Sequence, residues 1–265
     1  MLTTTERVAI VLAGAVFAFG IAVTFAPIAI TLMLSIFPLQ AGTPDFHAGS
    51  FDAYWALGNE RDLLEALVNS IVVGGAATVI SAILAIVLAL YVDSRRAIGR
   101  PFLEAVIYLP FIMPPIITGL ALLLFLSATH VERSLITVVV GHVVLVEAVT
   151  YRLVSTRLGN LPLSLYEASA DLGASSVQTF RHIVLPQLYA PLIVGMMLSF
   201  TISFDETLLT LFLAGANTTL PLTLLAMMRV GFSMDINALV VLVIATTILI
   251  ACLAAAIFRK TAMRF

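Results

Sequence analysis

The sequence predicts an all-α integral membrane protein with six transmembrane helices. Three observations carry this. Of the 265 residues, 61% are hydrophobic and only 11% are charged, where a soluble domain carries about 25% charged residues. Mean hydropathy is +1.13. The apolar residues collect into stretches long enough for a bilayer core, which takes about 20 residues as helix.

Taken in order, the spans fall at Val8–Phe37, Ala66–Val92, Pro101–Ala128, Leu135–Tyr151, Pro191–Leu213 and Ala238–Phe258. The fourth is the shortest. The first follows Arg7 and is too long for a secretory h-region, with no small-residue cleavage site close behind, so it reads as a retained helix. Basic residues set the orientation. With the N-terminus in the cytoplasm, that side holds Arg7, Arg95, Arg96, Arg100, Arg152, Arg157, Arg181, Arg259, Lys260 and Arg264, and only Arg61, Arg133 and Arg229 lie outside. Both termini are then cytoplasmic. The outside loop from Leu39 to Asp62 carries Phe46, Phe51, Tyr54 and Trp55, either as an interfacial anchor or as a face for a partner. No repeat of 20–50 residues is present, so residues 1–265 read as a single membrane domain.

Composition excludes several functions. A net charge of −2 gives no footprint for nucleic acid. Cys252 is the single cysteine, so neither an internal disulfide nor a Cys-rich metal site is available. His47, His130 and His182 are scattered through loops, and no HExxH or Cys/His spacing occurs, so no metal site is expected. Met227, Met228 and Met234 read as packing or gate residues.

One long polar segment interrupts the apolar chain, YEASADLGASSVQTFRHIVLP from Tyr166 to Pro186, within a cytoplasmic stretch of about 157–187. Its spacing predicts two short helices with a tight bend. Pro162 and the pair Ser164 and Glu167 make a capping-box start. Gly173 is a C-terminal stop. Ser175 and Gln178 repeat the capping pattern, Val177, Phe180 and Val184 share a face, and Pro186 closes the second helix. Such a unit is a handle for a soluble partner or a plain solvated loop.

Here the chain resembles the permeases of ABC importers. Glu167, Ala168, Ser169, Gly173, Ile183, Leu185 and Pro186 match the family's E-A-A-x3-G-x9-I-x-L-P signature, with Ser169 in place of its second alanine. The stretches YLPFIMPPIITGL, Gly141–His142, LSFTISFDE and TLPLTLLAMMRVGFSMDINAL are similar to spermidine/putrescine permease subunits. The resemblance implies a type I, MetI-like permease fold in a bacterial inner membrane. It also implies a second homologous permease, two ATPase subunits that bind ATP and Mg, a periplasmic solute-binding protein, and a small-molecule solute moving inward. Glu167, Ala168, Ser169, Asp171, Gly173, Ile183, Leu185 and Pro186 would couple to the ATPase. No GxxxxGK[ST] occurs in this chain, so no Walker-type ATP site is expected in it; the resemblance implies a transport subunit, not an enzyme, with ATP hydrolysis in the partner ATPases.

Ionisable residues inside a membrane are costly, and their default reading is functional. Asp205 and Glu206 fall in the fifth span among Ser199, Thr201, Ser203 and Thr207. Adjacent positions point to different sides of a helix, so both cannot face one path. The pair reads either as functional, with at least one carboxylate contacting a cationic solute, or as structural, with one meeting Arg229 or capping a broken helix. Glu147 in the fourth span reads either as a solute contact or as a group near cytoplasmic water and Arg152. His142 lies five residues earlier, about 140° away around the helix. Tyr108 and Ser203 complete the candidate solute path. Pro115 stands where the polyamine subgroup often has an acid, which leaves related amine or amino-acid-derived solutes open. Pro110, Pro114 and Pro115 are expected to kink or break the third span. The rival readings are an ion-coupled transporter relaying protons through Asp205, Glu206 and Glu147, and an intramembrane hydrolase, for which no nucleophile–base pattern is present.

Overall fold

The computed structural model describes residues 4–40, 42–94, 97–230 and 234–262. Of the basic residues used for orientation, Arg95, Arg96 and Arg264 lie outside these. The chain divides into two compact units, one of Met1–Glu60 with Ala226–Thr246 and one of Arg61–Leu225 with Thr247–Phe265.

In the first unit, α1 (Thr4–Leu34) is an apolar helix whose described side chains are mostly solvent- or lipid-facing. The chain then turns through two antiparallel two-residue strands, β1 (Leu39–Gln40) and β2 (Thr43–Pro44), into the short helix α2 (Asp52–Asn59). The loop folds back on the end of α1. Ser35 Oγ bonds Tyr54 Oη at 2.6 Å, Ser50 donates its N–H to Ile36, and the Phe37 and Phe46 rings meet at 5.3 Å. Phe51 and Trp55 stay exposed. The helix α12 (Met234–Ala262) begins within this unit's residues.

The second unit holds the core. It contains α3 (Arg61–Asp93), α4 (Arg100–Ile112), α5 (Pro115–Ala128), α6 (Leu135–Gly159), α7 (Leu163–Asp171), α8 (Ser176–Thr179), α9 (Leu185–Asp205), α10 (Leu208–Leu213) and the start of α11 (Leu220–Val230). Helix α6 packs on both α3 and α9, which also pack on each other. The α3 face that is buried is built from small residues, Ala66, Ser70, Val73, Ala77, Ser81, Ala85 and Ala89. In lipid, helices associate by close packing rather than by a hydrophobic drive, and small residues permit it.

By length and composition, four described helices can cross a membrane, and a fifth if α4 and α5 count as one broken span. Among the described residues, the structure departs from the straight spans read from sequence at the third, the fourth and the fifth, the last of which ends at Asp205 and not Leu213. The Pro101–Ala128 stretch is two helices bent by 111°, with Met113 and Pro114 at the break. Pro114 and Pro115 cannot donate to the preceding turn, which ends α4 where the sequence predicted a break. The fourth span continues eight residues past Tyr151 to Gly159. The fifth starts earlier, because α8 runs through a π-helical turn (Phe180–Val184) directly into α9. Pro186 therefore does not close the second short helix. It sits in the first turn of α9, and the widened π turn before it accommodates a residue with no N–H to give.

Candidate functional site

The polar handle folds as two helices about a bend at Gly173. Its φ is +75°, a left-handed conformation that costs other residues about 1–2 kcal/mol. Ser175 caps α8 as its spacing predicts: its N–H donates to Gln178 Oε1 at 2.8 Å, and Gln178 returns its N–H to Ser175 Oγ at 3.4 Å. The first capping box is not formed. Helix α7 begins one residue ahead of Ser164, with Pro162 as its N-cap and no side-chain bond.

Ser169, the departure from the family signature, has a partner that explains it. It is buried, and its Oγ lies 2.7 Å from Thr179 Oγ1. Thr179 gives its own hydrogen to the Ser175 carbonyl at 3.2 Å, so Ser169 is the donor. This pair ties α7 to α8 across the bend. Outside it, Glu167, Ala168, Asp171 and Leu172 are exposed. A concavity of about 450 Å³ opens between the two helices, lined among others by Leu165, Ala168, Leu172, Gln178 and Ile183. Tyr166 packs inward on the cluster formed by α3, α6 and α9. Burial and the Asp93 carboxylate hold its phenol above the usual pKa.

The second region is the break between α9 and α10. Asp205 ends α9 and is exposed; Glu206 follows in extended backbone and is half-buried. Glu206 Oε1 accepts the N–H of Leu209 at 2.9 Å and so caps α10. The two acids are separated by role as well as direction. Asp205 stands at the carbonyl end of a 21-residue helix, where the helix dipole adds negative potential and a cation is favoured.

Ser203 is buried and faces His142 of α6, Oγ to Nδ1 at 2.7 Å. The other ring nitrogen, Nε2, meets Thr210 Oγ1 of α10 at 2.9 Å. Below them α9 lays a ladder of small residues on α6. A Cβ at Gly195 would stand 3.1 Å from Thr150 Cα. Ser199 Oγ bonds Thr150 Oγ1 at 2.8 Å. By sequence, Ser199 and Ser203 are hydroxyls near the acids, and Ser203 is also a candidate for the solute path. The four-residue spacing Gly195–Ser199–Ser203, one step per helix turn, was the signal that they form a helix seam. Further anchors were not read from sequence at all. Thr137 bonds the Leu213 carbonyl at 2.8 Å, Asn69 bonds that of Thr218 at 2.9 Å, and Ser70 accepts the N–H of Leu220 at 2.8 Å. They pin the chain after α10.

Glu147 faces the opposite side of α6. It is only 7% exposed, beside Ser81 of α3, and neither carboxylate oxygen has a hydrogen bond of normal geometry. Tyr108 of α4 packs edge-on against Tyr151 with ring centroids 5.9 Å apart. The structure thus brings Ser203, Asp205 and Glu206 together at the break, and sets Glu147 elsewhere on α6 and Tyr108 on α4 against Tyr151.

The chain is similar over 176 residues to the putrescine transport system permease protein PotI of Escherichia coli K12, at 35% identity, covering 64% of this chain and 62% of that protein. The matched part is thus under two thirds of that relative's length. The spermidine/putrescine transport system permease protein PotC of Haemophilus influenzae is 26% identical over 212 residues, covering 80% of this chain and 82% of that one. Among solved structures, a bacterial ABC transporter involved in import of the acidic polysaccharide alginate superposes with a TM-score of 0.76 at 16% identity, covering 97% of this chain and 98% of that one. The MetNI methionine ABC transporter in an inward-facing conformation gives 0.63 at 21%, covering 80% and 99%. These two establish the fold. The family described as binding-protein-dependent transport system inner membrane component matches residues 77–262, well over half of the sequence. The protein belongs to that family.

Proposed function

We propose that this chain is a membrane-spanning subunit of an ATP-driven importer for small cationic amines of the putrescine and spermidine class. The observation that carries the coupling is the folded handle. Its bend is fixed by Gly173 and by the Ser169–Thr179 bond, and it leaves Glu167 and Asp171 one turn apart on an exposed face. That face suits basic groups of a soluble ATPase, and the concavity beside it suits an apolar side chain. Two partner ATPase subunits would bind ATP and Mg, one of them docking on this handle, a second permease of the same family would complete the pathway, and a periplasmic binding protein would deliver the solute. Both termini and the handle then lie in the cytoplasm.

The amine is supported by the names of the relatives PotI and PotC and by Asp205. This exposed carboxylate at a helix carbonyl end within a broken span gives a desolvated ammonium a counter-charge. Proteoliposomes containing this permease with its ATPase and binding protein are expected to accumulate labelled putrescine when ATP is supplied on the handle side. Accumulation driven by a proton gradient without ATP would refute the reading.

A further inference from the structure

His142 sits in a membrane-spanning helix, 1% exposed, with both ring nitrogens engaged. Its two partners lie on opposite sides of the break that holds Asp205 and Glu206. Ser203 belongs to the last turn of α9, and Thr210 to the first turn of α10.

The hydrogen bonds fix the proton. Thr210 Oγ1 also bonds the Glu206 carbonyl at 2.9 Å. A carbonyl can only accept, so the single Thr210 hydrogen is committed to it. Toward the imidazole Thr210 is therefore an acceptor, and Nε2 carries a hydrogen. A neutral ring then accepts at Nδ1, and Ser203 donates to it. The chain runs one way, from Ser203 to His142 to Thr210 to the backbone of Glu206.

Packing at the preceding residue agrees. A Cβ at Gly141 would stand 2.4 Å from Leu213 Cδ1 and 2.6 Å from Leu209 Cδ2, so the two leucine side chains of α10 pack directly against α6 at this position. Glu206 caps the same helix through Leu209. The break is thus clamped from three directions, and Asp205 stands exposed at its edge with no side-chain bond among the described residues.

We infer that His142 is a positioning residue. As a neutral, Nε2-protonated imidazole it holds the α9–α10 break in one geometry, and thereby fixes where the Asp205 carboxylate is presented to the solute. The part that concerns the solute rests on the function proposed above; the clamp itself does not.

Three measurements on the assembled complex in lipid test this. With 15N-histidine labelling, the resonance lost in His142→Gln should be that of a ring bare at Nδ1 and protonated at Nε2. A cysteine at position 205 in a Cys252→Ala background should change its rate of reaction with a thiol reagent by about tenfold in His142→Leu, the size of a lost buried hydrogen bond. His142→Gln keeps a donor and an acceptor and should stay near the parent rate. Putrescine uptake with excess binding protein should follow the same order, falling in kcat more than in KM. Should His142→Leu fail to assemble, Ser203→Ala removes one bond and keeps the ring, Thr210→Val removes the bonds to the ring and to the Glu206 carbonyl, and each should shift the labelling rate. A doubly protonated or Nδ1-protonated ring, or unaltered labelling in every variant, overturns the inference. If NMR and labelling behave as stated while putrescine is not transported by the parent complex, the clamp stands and the amine assignment fails.

Discussion

Asp205 and Glu206 are neighbours in sequence, yet the structure gives them different tasks. Glu206 spends an oxygen on the Leu209 N–H; Asp205 has no such duty and is exposed. Two different outcomes follow on neutralisation. Asp205→Asn should cut uptake of a cationic solute several-fold while the complex assembles normally. A pair of charges 4 Å apart is worth about 4 kcal/mol at an effective dielectric of 20, and a fraction of that suffices. Glu206→Ala should instead lower thermal stability, by about 0.5–2 kcal/mol for a lost helix cap. Uptake in proteoliposomes beside a thermal melt separates the two, and the reverse assignment would show that Glu206 faces the path. The residue scale is also where the sequence was least legible. That one acid would cap a broken helix was open from adjacency alone. Which one does so depends on where α9 ends, and no propensity rule marks that point. Glu147 stayed ambiguous for the same reason. Its place beside Ser81 is set by which helix packs on that face of α6.

Among the elements, those with local causes were legible. Three prolines announced the 111° break between α4 and α5, and Gly173 and the Ser175–Gln178 pair announced the bend and the second cap. What misled was Pro186, which ends a helix in a context-free reading but begins one here, after a π turn. The small-residue ladder on α9 was visible as a spacing, but its partner on α6 is a tertiary fact. The bend carries a direct consequence. Gly173→Val places a β-branched residue at a φ of +75°, which is strained by about 1–2 kcal/mol or more. No atom stands within 4 Å of the added Cβ, so the loss acts through the backbone and the angle between α7 and α8. Co-purification with the ATPase should weaken while the membrane bundle keeps its melting temperature. Gly173→Ala should be milder, and a fully retained ATPase in the valine variant would show that the bend does not set the handle.

At the scale of the whole molecule, coupling to a soluble ATPase requires the handle to face the cytoplasm. Ten of the 13 Lys and Arg residues fall on that side by sequence. A cysteine at position 50, in a Cys252→Ala background, should react with an impermeant thiol reagent from the periplasm, and one at position 175 only after the membrane is opened. The fold class was the most legible feature of all, because composition and span length follow directly from the solvent the chain must satisfy. The most direct test of the central claim is ATP hydrolysis by the reconstituted complex, measured with and without solute-loaded binding protein, in the parent and in Glu167→Lys. The parent should be stimulated by the loaded binding protein and should accumulate putrescine. Charge reversal on the exposed handle face should abolish both while α6, α9 and the break remain intact. Full stimulation and uptake in Glu167→Lys would contradict the coupling on which the account rests.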